Sequence, residues 1–447
     1  MNTIFNNQEE LFECVLATNK LKSDKSVNFI LAGFFVTGFI LAGYYDTWSI
    51  ALFMGSLSLL AYYSAKLLLP DSDLYQYILS IVLCVFMAQY IYQMHGMFEM
   101  HFTAFIGSAI LITYQNWKLQ IPLAIGVLLH HAILGYLQFI GYDDIYFTQE
   151  DYMDLQTFLI HGCLASVIFL ISGVWAYDLK KANLRLISQS QEVSVKSKNI
   201  IDSIHYSRRI QTAMLSPTSK LEEIFPNSFI FSKPKDIVSG DFFWCYQTEK
   251  IKIIAVADCT GHGVPGALMS IVCNNLMNEI IVNKGVEEPA EILYQLDSQL
   301  HRVLENSGHD VNDGMDISIL VIHTETNELF YAGAYRPLFY IDEKEKIVEL
   351  KGNPYPIGGT DYEHKQFTST KIPSLEGRTY YLSSDGYYSQ FGGPRNKKFM
   401  KKQFREMIGS IKNINVKNQS SVLSEVFHSW QGDIEQTDDV LVIGIQI

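Results

Sequence analysis

Between Val27 and Leu179 the chain carries two lysines, Lys66 and Lys118, no arginine, and a succession of long apolar runs, whereas from Lys180 onward it reads as an ordinary water-soluble sequence. Within a bilayer every backbone N–H and C=O must be satisfied inside its own segment, so a spanning element is a helix of about 20 mostly apolar residues. Six segments meet that requirement: Val27 to Tyr45, Trp48 to Leu69, Leu74 to Met94, His101 to Gln115, Leu119 to Ile140 and Leu155 to Leu179. The fourth is short. The first starts too late and is too long for a cleaved secretory signal. Residues 27–179 are therefore expected to form an all-α bundle of six transmembrane helices in the lipid bilayer, after a cytoplasmic segment at 1–26.

Basic residues set the orientation. Lys20, Lys22 and Lys25 precede the first span, Lys118 separates the fourth and fifth, and Lys180, Lys181 and Arg185 follow the sixth. The loop from Gly141 to Asp154 carries five acids and no base. Both ends then face the cytoplasm, as in a multi-pass protein of the cell inner (cytoplasmic) membrane. A net charge of −13 without a stripe of Lys and Arg excludes a nucleic-acid surface. The six cysteines form no Cys-x-x-Cys pair, which disfavours a thiolate zinc site, and their positions disfavour a disulfide framework.

Residues 180–217 are rich in Lys, Ser, Gln and Asn, with apolar residues at Leu184, Ile187, Val193, Ile200, Ile204, Ile210 and Leu215. That spacing suits a helix with a narrow apolar seam, which a homodimeric coiled coil would bury. A solvated single helix is the alternative. Pro217 ends it. From 218 to 447 short β-branched and aromatic runs alternate with two or more longer helical stretches, among them Gly266 to Asn283 and Pro289 to Asn306. This pattern points to an α+β domain, a β-sandwich flanked by helices.

Within that domain the stretch ADCTGHGVPG, Ala257 to Gly266, ends an apolar strand on an aspartate, sets a histidine between glycines and then begins a helix. A carboxylate at the end of a buried strand is costly unless something cationic offsets its desolvation. Asp241 in SGDFFW, Asp385 in LSSDGY and Asp438 in TDDVLVIG repeat the arrangement. Four such strand ends can converge. Carboxylates without thiolate suit hard divalent ions, and two such ions sharing a carboxylate and a water make a hydrolytic centre for phosphate esters.

Asp241 in VSGDFFW, Asp258 in VADCTGHGVPGALMS, Asp385 in SSDGYYSQFGG and Asp438 in TDDVLVIGI resemble, in that order, the metal-dependent Ser/Thr protein phosphatases of the PPM or type 2C class, most closely its bacterial SpoIIE branch. The resemblance covers roughly Ile200 to Ile447. It implies that Asp258 bridges two Mn²⁺ or Mg²⁺ ions, that Asp241 and the Cys259 carbonyl hold one of them, and that Asp385 and Asp438 hold the other. Asp258 and Asp385 are the implied catalytic pair, with Asp439 either behind the ligands or exchanging places with Asp438. Relatives usually have a small residue where this chain has Cys259. The resemblance also implies a phosphoserine or phosphothreonine protein as substrate, in this branch usually a small anti-sigma-factor antagonist, and a linker that dimerises and places a switch element near the metals. In this branch Asp313 and Asp316 are candidates to touch the site, although a turn entering a strand explains Asp313 equally well. His262 either protonates the leaving oxygen or orders the glycine loop.

In the membrane half, His95, Glu99 and His101 lie near the outer ends of the third and fourth spans, His130 and His131 midway along the fifth, and His161 inside the sixth. Ionisable residues within a bilayer are functional candidates, and imidazoles with a carboxylate suit a transition metal. Hydrogen bonding between helices is the alternative. The His-x-x-x-Glu-x-His-Phe, Tyr-x-x-Trp and His-His elements resemble six-span sensor domains found ahead of bacterial signalling outputs. The combined expectation is a membrane receptor phosphatase. Its rival is a transporter or sensor whose cytoplasmic domain binds ligand without catalysis.

Overall fold

The computed structural model describes residues 2–142, 144–149, 155–305, 313–359, 365–373 and 377–447. Four of the five acids of the loop at 141–154 lie outside the described residues. The chain forms two compact units, Met1–Val195 and Lys196–Ile447.

The first unit is helical: α1 Asn2–Tyr45, α2 Trp48–Leu68, α3 Leu74–Gln93, α4 Thr103–Ile112, α5 Gln120–Phe139 and α6 Leu155–Met214. Among the described residues, five helices are long and apolar enough to cross a membrane. The exception is α4, whose ten residues rise only about 15 Å, half a hydrocarbon core, after a 3₁₀ stretch at Phe98–Phe102. The six expected spans thus become five long helices and one short apolar one. Helix α3 is the most enclosed, contributing Leu79, Phe86, Met87 and Tyr90 to the core of the unit. The buried carboxylate against it, Asp24, is paired, as burial demands. The Asp24 carboxylate accepts from Tyr75 Oη at 3.0 Å and Tyr114 Oη at 2.6 Å, and lies 3.1 Å from Lys66 Nζ.

Four of the six expected transition-metal ligands meet. His131 lies 5.1 Å from His101 and 5.4 Å from both His130 and His161, centroid to centroid, with Phe147 against the same rings. His95 is instead stacked between Tyr45 and Tyr146, and Glu99 is exposed. Among the described residues no three His, Cys, Asp or Glu side chains are gathered as ligands of one cation. A transition-metal site in this unit therefore lacks structural support. The four imidazoles pack on one another and on phenylalanine, with His130 Nδ1 3.4 Å from His131 Nδ1 and His130 Nε2 buried without a hydrogen-bond partner.

The second unit begins in the last turns of α6, followed by α7 Thr218–Ile224 after Pro217. Strands β1 Ser228–Lys233, β2 Asp241–Gln247, β3 Ile251–Cys259, β4 Gly314–His323, β5 Glu328–Ala334, β6 Leu338–Ile341, β7 Ile347–Leu350, β8 Ile357–Gly358, β9 Thr370–Ile372 and β10 Thr379–Ser383 come next, with α8 Gly263–Met277 and α9 Pro289–Glu305 inserted after β3. Then follow α10 Gly386–Ser389, the short pair β11 Phe391–Gly392 and β12 Lys397–Lys398, α11 Met400–Ile411, α12 Val416–Gln431 and β13 Val440–Gln446. One antiparallel sheet runs β1-β13-β10-β6-β7; the other runs β2-β3-β4-β5-β9, with β8 on β4.

Alternation along the strands assigns the faces. In β3, Ile253, Ala255 and Ala257 face the core shared with α8 and α9, whereas Ile254 and Val256 meet Leu382, Leu441 and Ile443 of the other sheet. The outer face of that other sheet is covered by α11 and α12 through Phe404, Ile408, Leu423 and Phe427. The result is the expected sandwich with helices outside. The sequence did not reveal α11 and α12, and α8 starts at Gly263, ahead of the Gly266 expected for it.

Candidate metal centre

Because side chains alternate, the residue after Val256 and Ala257 returns to the face between the sheets, and that residue is Asp258. Register does the rest: Asp258 pairs with Asp241 of β2 on one side and with Asp316 of β4 on the other. Directly opposed residues on one sheet face have Cβ atoms about 5 Å apart. Three carboxylates therefore stand in a row at the rim of the core between the sheets. The second sheet supplies Asp385 just past β10, whose backbone N–H donates to Asp258 Oδ2 at 3.4 Å, and Asp438 just before β13.

Like charges in such a row are destabilising unless a cation lies among them. The cation in this structure is Arg336, in the turn between β5 and β6. Its Nη2 is 2.8 Å from Asp258 Oδ2 and 2.9 Å from Asp316 Oδ2, and its Nη1 is 3.4 Å from Asp385 Oδ2. Nη1 also donates to Tyr388 Oη at 3.4 Å. The turn is firmly held, with Tyr335 N–H donating to Asn353 O and Tyr331 Oη to Arg336 O.

Even so the cluster is under-neutralised. Burial pushes Asp258 up to about 7, with Asp385 and Asp316 adding to the shift and Arg336 opposing it. Asp316 is raised to about 6, again by burial first. Asp241 lies well above the usual carboxylate range through burial and the neighbouring Asp258, and its Oδ2 is buried with no hydrogen-bond partner. Asp438 is raised by burial and by Asp385. Burial works against the charge of Arg336, but Asp258 and its other neighbours raise its pKa overall.

The surrounding loops are built to hold these groups. Asp439, buried, accepts from Lys235 N–H and Gly240 N–H, both at 2.7 Å, and so ties the segment before β2 to β13. A Cβ on Gly240 would lie 2.7 Å from Gly261 O and 3.1 Å from Cys259 O, so only glycine lets this carbonyl face that loop. At Gly386 a Cβ would fall 1.8 Å from Asp439 O. The Cys259 side chain points away into the core with Cys273. His262 sits between Asp236 Oδ2 at 2.7 Å and Lys235 Nζ at 3.0 Å. Asp313 lies in the turn entering β4, its carbonyl against Gly358.

The donors therefore fit hard divalent cations. They are all oxygens, one is an orphaned buried carboxylate oxygen, and the local charge is strongly negative. As the side chains stand, no three converge on one point; the Arg336 guanidinium lies among them instead. Asp241, Asp258, Asp385 and Asp438 were legible as strand-end aspartates. Arg336 and Tyr388 were not, and of the two further candidates Asp316 lies at the site while Asp313 lies in the turn entering β4.

Residues 250–447 match the family model of stage II sporulation protein E (SpoIIE). The second unit also resembles the SiaA-PP2C domain of Pseudomonas aeruginosa, at 30% identity and a TM-score of 0.52, covering 56% of this chain and 98% of that one. The second unit belongs to the SpoIIE family of PP2C-type phosphatases. Phosphoserine phosphatase RsbU of Bacillus subtilis (strain 168) is 27% identical over 208 residues, which are 45% of this chain and 57% of RsbU. The match thus spans little more than half of RsbU's own length.

Proposed function

We propose that the chain is a membrane-bound, metal-dependent phosphatase acting on phosphoserine or phosphothreonine of a regulatory protein. The observation that carries this reading is the row of carboxylates at Asp241, Asp258 and Asp316, joined by Asp385 and holding an orphaned oxygen. Two Mn²⁺ or Mg²⁺ ions at such a site would supply an acidified water and neutralise phosphoryl oxygens. Asp258 would be their shared ligand, with Asp241 and the Cys259 carbonyl on one side and Asp385 and Asp438 on the other. Arg336, already aimed at the same rim, would turn its guanidinium to the phosphoryl oxygens, a geometry that suits its fork of N–H donors. Asp439 and the His262–Asp236 pair keep the flanking loops in place.

Control from the membrane half is the second part of the proposal, with both chain ends of that half on the cytoplasmic side of the inner membrane. Helix α6 is continuous from Leu155 to Met214, and its end grips the segment before β2. Gln211 Nε2 donates at 2.6 Å to the carbonyl of Ser239, two residues before Asp241, and at 2.9 Å to Ser270 Oγ. The seam residues Val193 and Ile200 are exposed in the single chain, which supports a homodimer that buries them. A phosphorylated anti-sigma-factor antagonist is the substrate type the family resemblance favours.

The full-length protein in lipid nanodiscs is expected to release phosphate from a phosphoserine peptide with Mn²⁺ or Mg²⁺, and to stop when the ions are chelated. Phosphate release that chelation leaves unchanged would refute the reading.

A further inference from the structure

Two cavities in the helical unit share a wall. One, of about 530 Å³, is an apolar groove between α5 and α6 lined by Ile121, Ala124, Phe169 and Val174. The other, of about 900 Å³, is polar and lined by Lys20, Lys118, Lys180 and Lys181, beside Asp71 and Asp73. Trp117 and Tyr177 line both. Lys20 is paired with Asp73 at 3.2 Å, and Lys181 lies over the Tyr177 ring. Neither Lys118 nor Lys180 forms an ion pair within 4 Å among the described residues, so the cavity keeps an excess of positive charge.

We infer that these two cavities form one binding site for an anionic phospholipid, with its phosphate at Lys118, Lys180 and Lys181 and an acyl chain in the α5–α6 groove. The chemistry of the two halves decides the ligand class. Lysines clustered where helices leave a membrane attract phosphate headgroups, and amphipathic Trp and Tyr rings lie at the boundary between headgroup and chain. A soluble anion would use the lysines but leave the groove unused. A neutral lipid would fill the groove but leave the lysines uncompensated. Helix α6 walls both cavities and is the helix that continues to Gln211, so lipid composition is a natural input to the proposed control. The site itself stands whether or not the phosphatase reading holds.

The test uses the full-length protein in phosphatidylcholine nanodiscs carrying brominated phosphatidylglycerol or, at equal mole fraction, brominated phosphatidylcholine. Quenching assigned to Trp117 is the difference between wild type and Trp117→Phe. Brominated phosphatidylglycerol should quench it several-fold more effectively. That preference should fall by roughly fivefold for each of Lys118→Gln, Lys180→Gln and Lys181→Gln. Gly173→Leu, which fills the groove without changing charge, should reduce quenching by both lipids and carries the test if the lysine variants fail to fold. Equal quenching by the two lipids in wild type overturns the inference, as does a preference that survives all three lysine changes. Reversal of the preference by inorganic phosphate would assign the lysines to a soluble anion and overturn it as well.

Discussion

The two units each collect ionisable side chains in a buried place, and they do so in opposite ways. At the sandwich rim, sheet register forces Asp241, Asp258 and Asp316 side by side, and one guanidinium leaves the group short of positive charge. In the helical unit, His101, His130, His131 and His161 meet as rings, edge to face and stacked, with Phe147 completing the cluster. Carboxylates cannot shed their charge at neutral pH without a large shift, whereas imidazoles can be neutral at no electrostatic cost. A gathering of acids therefore demands a cation, while a gathering of histidines can be packing. Sequence alone treats both as candidate metal sites.

The largest effect that could break this contrast is on turnover. Asp258→Ala removes the proposed shared ligand and should lower metal-dependent phosphate release by about 10² or more. His131→Ala should leave turnover per folded molecule unchanged and add no loss of transition metal, measured by elemental analysis of purified protein. Comparable losses from both variants would place the imidazoles in the same functional class as the aspartates.

Next in size is the role of Arg336. Removing one partner of a buried ion cluster usually costs roughly 3–5 kcal/mol, and Arg336 is the guanidinium that touches Asp258, Asp316 and Asp385 together. Arg336→Ala should therefore lower the melting temperature of the metal-free protein sharply, and Mn²⁺ should restore most of the loss. A metal-free melt indifferent to the change would mean that the carboxylates tolerate one another without it.

How much of this was legible in the sequence follows from where the information lies. Asp258 and Asp385 end apolar strands, so local pattern alone marked them. Asp316 is preceded by Asp313-Gly314, a turn signal in its own right, and only the pairing of β3 with β4 reveals that it stands opposite Asp258. Arg336 lies in the turn AYRPLF with no motif around it, and reaches the site through the β5–β6 connection. Helix α11 was missed because Lys397 to Arg405 reads as a solvated charged run, although Phe404, Met407, Ile408 and Ile411 form a buried stripe. In the helical unit, apolar composition marked the long helices but not the length of α4, which ends at Ile112.

A more moderate effect is expected from pH. The folded, metal-free protein holds Asp258 at about 7 and Asp316 at about 6, against about 3.9 for an unfolded aspartate. The folded state then binds more protons than the unfolded one between roughly pH 4 and pH 7, so stability is greatest at the acid end and is lost as pH rises through that window. Divalent cations need the ionised carboxylates, and their binding below about pH 7 should release protons. Melting temperatures across this range, with and without Mn²⁺, measure both effects. Asp258→Asn should flatten the metal-free slope, and a slope that it leaves unchanged would remove Asp258 from the account.

The smallest effect tests whether the rim is open to control. Gln211 is buried, and its amide is used twice as donor and once as acceptor: Nε2 to Ser239 O and Ser270 Oγ, and Oε1 from Ser239 N–H at 3.4 Å. Asn274 Nδ2 fastens the same helix end by donating to Met214 O at 3.1 Å. Hydrogen bonds of this kind are each worth about 1 kcal/mol, so Gln211→Ala should change turnover only several-fold. The informative quantity is what it does to coupling. If α6 sets the position of Ser239 and so of Asp241, charged substitutions at the seam residues Ile200 and Ile204 should change turnover in wild type and have much less influence once Gln211 is alanine. Measuring the four combinations as a double-mutant cycle isolates that interaction from the separate losses. Additive effects would make the Gln211 contact a plain packing bond and leave the linker helix a tether.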